Sequence, residues 1–230
     1  MGKGLRIMGQ LTELVAEDDH RLGAWRADAA GSPLGRIVVV QEIFGVNSHI
    51  RAVCDRVAAQ GFTALAPALF DRQQPGYESG YSPDEVAQSR SLMAGYNWDL
   101  GLKDVEAARR ELAKEGPVAV IGFCAGGSIA WQASTQPGYR AAVCFYGGRV
   151  LKTADFANAC PVQMHFGRQD QGIPVDQVGS FAAARADIEV HLYDAGHGFN
   201  CDQRAAYDEI SARLAMERTI TFLKAAFAAT

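Results

Sequence analysis

From about residue 36 onward, short apolar runs alternate with segments whose apolar positions recur at helical spacing. This is the pattern of βαβ units in a mostly parallel sheet. Arg36 to Gln41 (RIVVVQ) carries four consecutive aliphatic residues, as a strand buried on both faces requires. From Ser48 to Gln60, Ile50, Val53, Cys54 and Val57 fall on one helical face, and Gly61 follows as the cap. Phe62 to Ala66 reads as the next strand, ending at Pro67, and the polar, turn-rich stretch Asp71 to Gly80 as loop. Helices are expected over Pro83 to Ala94 and Asp99 to Glu115, the second stopped by Gly116-Pro117. Strands follow at Val118 to Gly122, Ala141 to Tyr146, Val162 to Phe166 and Ile188 to Tyr193. An amphipathic helix from about Arg204 to Phe227 closes the chain, with Met216, Ile220, Leu223 and Phe227 on one stripe.

Composition bounds the function. The 230 residues are 48% hydrophobic and 21% charged, ordinary for a globular protein, and one domain covering 1–230 is expected. A net charge of -4 supplies no field that would draw the chain to nucleic acid or acidic lipid. The N-terminal MGKGLRIMGQ lacks an apolar signal core, and no stretch reaches the ~18 apolar residues of a membrane span. A cytoplasmic protein, monomeric by default, is the simplest reading. Cysteines at 54, 124, 144, 160 and 201 are odd in number and lack CxxC spacing, against a disulfide framework or zinc cage. The histidines at 20, 49, 165, 191 and 197 show no HExxH spacing, and there is no GxGxxG or Walker pattern. Neither metal nor cofactor is expected.

In an open parallel sheet, ligands bind beyond the carboxyl ends of the strands. There, Gly122-Phe123-Cys124-Ala125-Gly126 has the form of a nucleophile elbow with cysteine in the serine position. Such a turn tolerates only glycine at its flanks and aims the N–H groups of the next helix at the reacting centre. An isolated cysteine between a strand and a helix is more often core, so its neighbours matter. His197 stands between glycines just after the last strand, where a general base can approach from another loop. Asp170 follows the strand Val162 to Phe166, where a carboxylate can orient that histidine. The order Cys124, Asp170, His197 is the nucleophile, acid, base order of the α/β-hydrolases. Glu42, after four aliphatic residues, is a partly desolvated carboxylate that needs a partner.

The sequence resembles the dienelactone hydrolases (carboxymethylenebutenolidases). The resemblance rests on QEIFGVN at 41–47, APALFDR at 66–72, GFCAGG at 122–127, FGRQDQGIP at 166–174 and YDAGHGF at 193–199. It implies an α/β-hydrolase fold, a mostly parallel central sheet with helices on both faces, and a Cys124, His197, Asp170 triad with Glu42 as an additional carboxylate. It implies that the resting thiol pairs with the glutamate until substrate shifts it, that the Ala125 and Ile43 N–H groups form the oxyanion hole, and that an activated ester or lactone passes through a thioester acyl-enzyme. The family holds a substrate carboxylate with two arginines. Here one position is Cys201 and the other falls near Val86, which leaves Arg90 and Arg204 as replacements, with Tyr96 and Phe199 as further substrate-facing candidates.

The expected partner is therefore a small-molecule ester or lactone. A thiolate is also a good leaving group, so the expelled alcohol must leave at least as readily, which selects enol and aryl esters, enol lactones and thioesters over amides. An acyl-thioester hydrolase, a non-catalytic receptor on the same fold and a redox-sensing Cys124 are the alternatives.

Overall fold

The structure is a computed structural model that describes residues 9–229. Eight strands form one sheet in the order β1-β2-β4-β3-β5-β6-β7-β8. The strands are β1 (Gly9–Val15), β2 (Arg21–Ala27), β3 (Gly35–Val40), β4 (Phe62–Pro67), β5 (Val118–Phe123), β6 (Tyr139–Phe145), β7 (Val162–Gly167) and β8 (Glu189–Tyr193). The β1–β2 hairpin and the β2–β4 pairing are antiparallel, and every other pairing is parallel.

Between the parallel strands run α1 (Ser48–Ala59), α2 (Pro83–Ala94), α3 (Trp98–Ala113), α4 (Ala125–Ala133) and α5 (Val175–Ala184), and α6 (Glu209–Ala228) ends the chain. From β3 the chain steps outward through α1 to β4, then returns past β3 and continues through β5 to β8. Right-handed crossovers in opposite directions put α1 on one face and α3, α4 and α5 on the other. The order reverses beside β3, so a crevice opens where β3 and β5 end. Among the described residues no helix is long and apolar enough to cross a membrane.

The strands with unbroken aliphatic runs are the buried centre: Ile37 to Val40, all of β4 and all of β5 are buried. Cys54 belongs to that core, and its burial pushes the thiol far above its ordinary pKa. Helix starts follow local chemistry. Asn47 accepts from Ile50 N at 3.3 Å to open α1, and Ser82 and Glu85 form a reciprocal capping box on α2. Gly61, with φ +93°, leads α1 into β4.

Three elements depart from the pattern-based expectation. The β1–β2 hairpin and α5 were not foreseen. The last helix starts at Glu209 rather than near Arg204, because the Asp208 carboxylate caps it by accepting from Ser211 N at 2.8 Å. Residues 204–208 form turns instead, closed by Tyr207 N to Arg204 O and Asp208 N to Phe199 O, both 3.0 Å. Arg204 thereby belongs to the loop that carries His197.

Candidate active site

Cys124 sits between β5 and α4 with φ 55° and ψ -114°, a conformation side chains rarely adopt. The glycines around it explain how the bend closes. A Cβ on Gly122 would lie 1.9 Å from Gly126 O, and one on Gly126 would lie 2.3 Å from Val40 O. Cys124 N donates to Phe145 O and Gly126 N to Gln41 O, each at 3.0 Å, pinning the bend to both neighbouring strands. Strain of this kind costs about 1–3 kcal/mol and persists only where its surroundings enforce it.

Cys124 Sγ lies 3.2 Å from His197 Nε2, and His197 Nδ1 lies 2.7 Å from Asp170 Oδ2. The Asp170 side chain is buried, and its other oxygen accepts from Gly172 N at 2.8 Å, which fixes its orientation. Residues from the ends of β5, β7 and β8 thus meet in one hydrogen-bonded chain. Burial by itself would lower the His197 pKa, but the hydrogen bonds and charges of Asp170 and Cys124 outweigh it and raise it to about 10. A raised value means that the linked stability is fully present below the unfolded pKa of about 6.5 and is lost as pH rises through about 10. The melting temperature of wild type minus that of His197→Gln should therefore shrink between pH 6.5 and 10; a difference that is flat or grows over this range contradicts the pairing.

Glu42, at the end of β3, is buried and pairs with Arg204 through Nη1 to Oε1 at 3.1 Å. The guanidinium also stacks over the rings of Phe44 and Tyr81, 5.3 and 5.7 Å from their centroids. This differs from the resting arrangement that the resemblance implies, because Glu42 faces Arg204 and the thiol faces His197. The physical reason is that a buried carboxylate takes the nearest cation, and the turns at 204–208 deliver one.

Ala125 is the first residue of α4, so its N–H has no carbonyl partner within the helix, and Ile43 follows Glu42 beyond the end of β3. Tyr96 is buried beside Phe70 and lines a small cavity bounded also by Glu42, Met93 and Ala125. Phe199 is not exposed to a substrate cleft: it is fully buried against Tyr146 and Tyr193, where it anchors the His197 loop. Arg90 is exposed on α2, and among the described residues no hydrogen bond or ion pair joins it to the site.

Sequence reasoning missed two features. Tyr146, just beyond β6, has φ 38°, packs with its ring tilted against that of His197 at 5.0 Å between centroids, and buries its hydroxyl with no hydrogen-bond partner among the described residues. Glu42, His49 and Cys201 bring three potential metal-ligand atoms within 4.8 Å of one another. Neither has a sequence signal, since residues 42, 49, 146 and 201 meet only in the folded sheet.

The comparisons with known proteins agree with this architecture. The family model of the dienelactone hydrolase family matches residues 22–227. A Synechocystis protein described as a "Putative carboxymethylenebutenolidase" is 33% identical over 236 residues, spanning 94% of this chain and 90% of its own. The carboxymethylenebutenolidase of Pseudomonas putida is 31% identical over 221 residues, spanning 90% and 92%. A crystal structure described as a "Putative Dienelactone Hydrolase" from Klebsiella pneumoniae superposes with a TM-score of 0.80 at 31% identity, covering 96% of this chain and 99% of that one. Matched along nearly its whole length in sequence and in fold, this chain belongs to the dienelactone hydrolase family and is a hydrolase of the α/β-hydrolase fold.

Proposed function

We propose that the protein hydrolyses an activated carboxylic ester or enol lactone through Cys124, His197 and Asp170, with a thioester acyl-enzyme as intermediate. The observation that carries this reading is the continuous chain from Cys124 Sγ through His197 to the buried Asp170 carboxylate, hung on a strained elbow. Burial opposes it, but Asp170 and Cys124 raise the His197 pKa to about 10, so the ring is a base strong enough to hold the proton that the attacking sulfur gives up.

The thiolate attacks the acyl carbon, and the resulting oxyanion is received by the Ala125 and Ile43 N–H groups. Collapse expels the enolate or phenolate, to which the His197 imidazolium gives its proton, and leaves an acyl group on sulfur. Forming the thioester removes the negative charge that helped hold the proton on His197. The imidazole pKa then falls, and the neutral ring can take a proton from water as it attacks the thioester. Asp170 keeps the ring oriented through both steps.

Glu42 and Arg204 supply selectivity in this reading. A substrate carboxylate competes with Glu42 for the guanidinium, and the displaced Glu42 adds negative charge to the cleft only when an acid-bearing substrate is bound. Arg204 rather than Arg90 takes this role, because its guanidinium already reaches the carboxyl end of β3.

The test is to mix the protein with p-nitrophenyl acetate and quench early. The expected result is a burst of p-nitrophenolate and a single acetyl adduct in the intact mass, mapped to the peptide containing Cys124. Turnover without any adduct, or an adduct on another residue that forms as fast as turnover, would overturn the proposal.

A further inference from the structure

Beside the hydrolytic chain, Glu42, His49 and Cys201 form a second, buried polar cluster in which two polar atoms have no hydrogen-bond partner among the described residues. His49, on α1, has no exposed surface, and its Nδ1 lies 3.2 Å from Asp202 Oδ1. Asp202 is itself held by Arg56 at 3.0 Å. That carboxylate holds the ring by Nδ1, and Nε2 is buried with no hydrogen-bond partner among the described residues. Glu42 is 2% exposed; Arg204 uses its Oε1, and Oε2 is likewise buried without a partner. Cys201 is fully buried and its Sγ donates to the Tyr81 hydroxyl at 3.3 Å. One ligand atom from each of Glu42, His49 and Cys201 falls within 4.8 Å of the others.

Unpartnered buried polar atoms each cost about 1–3 kcal/mol, and Glu42 Oε2 and His49 Nε2 are two of them, on residues whose ligand atoms meet at one thiol. We propose that Glu42, His49 and Cys201 form a binding site for a borderline-soft divalent cation of the Zn2+ class.

The donor set fits that chemistry: thiolate and imidazole select Zn2+ over Mg2+ or Ca2+, and a carboxylate completes a common three-ligand arrangement. Tetrahedral bonds of about 2.0–2.3 Å place donors roughly 3.3–3.8 Å apart, so the side chains close in by about 1 Å on binding. The Tyr81 hydroxyl can move onto the cation or leave the fourth position to water. Binding releases two protons to solvent, one from the Cys201 thiol and one from His49, whose pKa burial would lower but Asp202 and Cys201 raise to about 9; the thiolate and the Glu42 carboxylate then face the dication, and Arg204 shares Glu42 with it. The Asp202 carboxylate behind His49 is the outer partner that metal-bound histidines almost always have. Because Glu42 also serves the proposed mechanism, a bound cation pins it beside Arg204 and slows turnover; this last consequence rests on the hydrolytic reading, whereas the binding does not.

The test uses Cys124→Ala protein, which removes the other thiol of the cleft and makes the readout independent of activity. Titration with Co2+ should give one ion per chain and a thiolate-to-cobalt charge-transfer band, with Zn2+ displacing the Co2+. The band should vanish in C124A/C201S, and Asp202→Asn should weaken Zn2+ binding roughly 10-fold or more. Absence of the band in C124A, or its persistence in C124A/C201S, overturns the site. Should the double variant fail to fold by circular dichroism, X-ray absorption of the Zn2+-loaded C124A protein decides: one sulfur at about 2.3 Å with nitrogen and oxygen neighbours supports it, and no sulfur or several overturn it.

Discussion

Cys124→Ala is expected to lower kcat for p-nitrophenyl acetate by roughly 10^4-fold or more, the scale on which removing a nucleophile disables a hydrolytic triad. The loss follows from geometry, because among the described residues no other thiol lies against His197 Nε2. Two companion variants separate chemistry from packing. Cys124→Ser keeps the elbow and places a hydroxyl where the sulfur was, but a hydroxyl is not ionised at neutral pH and must be deprotonated during attack, so its rate falls between those of wild type and the alanine variant. Cys124→Gly removes the side chain from a backbone with φ 55°. Measured against Cys124→Ala, which loses the same thiol contact with His197, relief of about 1–3 kcal/mol of strain set against about 0.5–1 kcal/mol of added chain entropy predicts a net gain of about 1 kcal/mol. That corresponds to a melting temperature higher by about 2–4 °C in a chain of this size. An inactive but more stable glycine variant would show that the strain is kept for the nucleophile. Wild-type turnover by the alanine variant would remove Cys124 from the mechanism.

How much of this was legible in the sequence depends on whether a residue's role is set locally. The parallel core was readable because Ile37 to Val40, Val118 to Ile121 and Ala141 to Phe145 are buried on both faces, which leaves continuous apolar runs. The β1–β2 hairpin was not, because an edge strand with one wet face has no such run: in β1 only Leu14 is buried, and in β2 buried Leu22, Ala24 and Ala27 are spaced among polar or half-exposed residues. Helix α5 hides for a different reason. Its ten residues bury only Val178 and Phe181, too few to set a period.

The candidate site divides in the same way. Glycine spacing around Cys124 and His197 is a local consequence of sharp turns, so both residues could be singled out before any contact was known. The meeting of Glu42 with Arg204 depends on where the last helix starts, which the Asp208 cap decides and periodicity overran. The convergence of Glu42, His49 and Cys201 depends on β3, α1 and the loop after β8 meeting in space. No spacing rule within one segment could reveal it. Phe199 illustrates the converse error, since an aromatic beside a candidate base reads as a substrate contact, yet here it is the buried anchor of the loop.

Gly122→Ala should be among the most damaging small substitutions at the described residues. The clash is not one of dihedral preference, because Gly122 lies in regular β5, paired with Val40 on one side and Cys144 on the other. A Cβ there meets Gly126 O at 1.9 Å, its carbonyl carbon at 2.3 Å and Gly127 N at 2.8 Å, all backbone, so no rotamer change can relieve it. Either β5 leaves the sheet plane or α4 moves away from it, and both displace the Ala125 N–H from the thiol. Overpacking usually costs about 1–3 kcal/mol, and with backbone on both sides the upper end or beyond applies, about 3–4 kcal/mol. The melting temperature should fall by roughly 10 °C, with kcat reduced even where the protein is still folded. Gly179→Ala is the matched control: that glycine is inside α5, nothing lies within 4 Å of its would-be Cβ, and helix propensity predicts a gain of up to about 1 kcal/mol. If G122A instead melted within about 2 °C of wild type with full activity, the close contact between the elbow and the first turn of α4 would not be what holds the thiol in place.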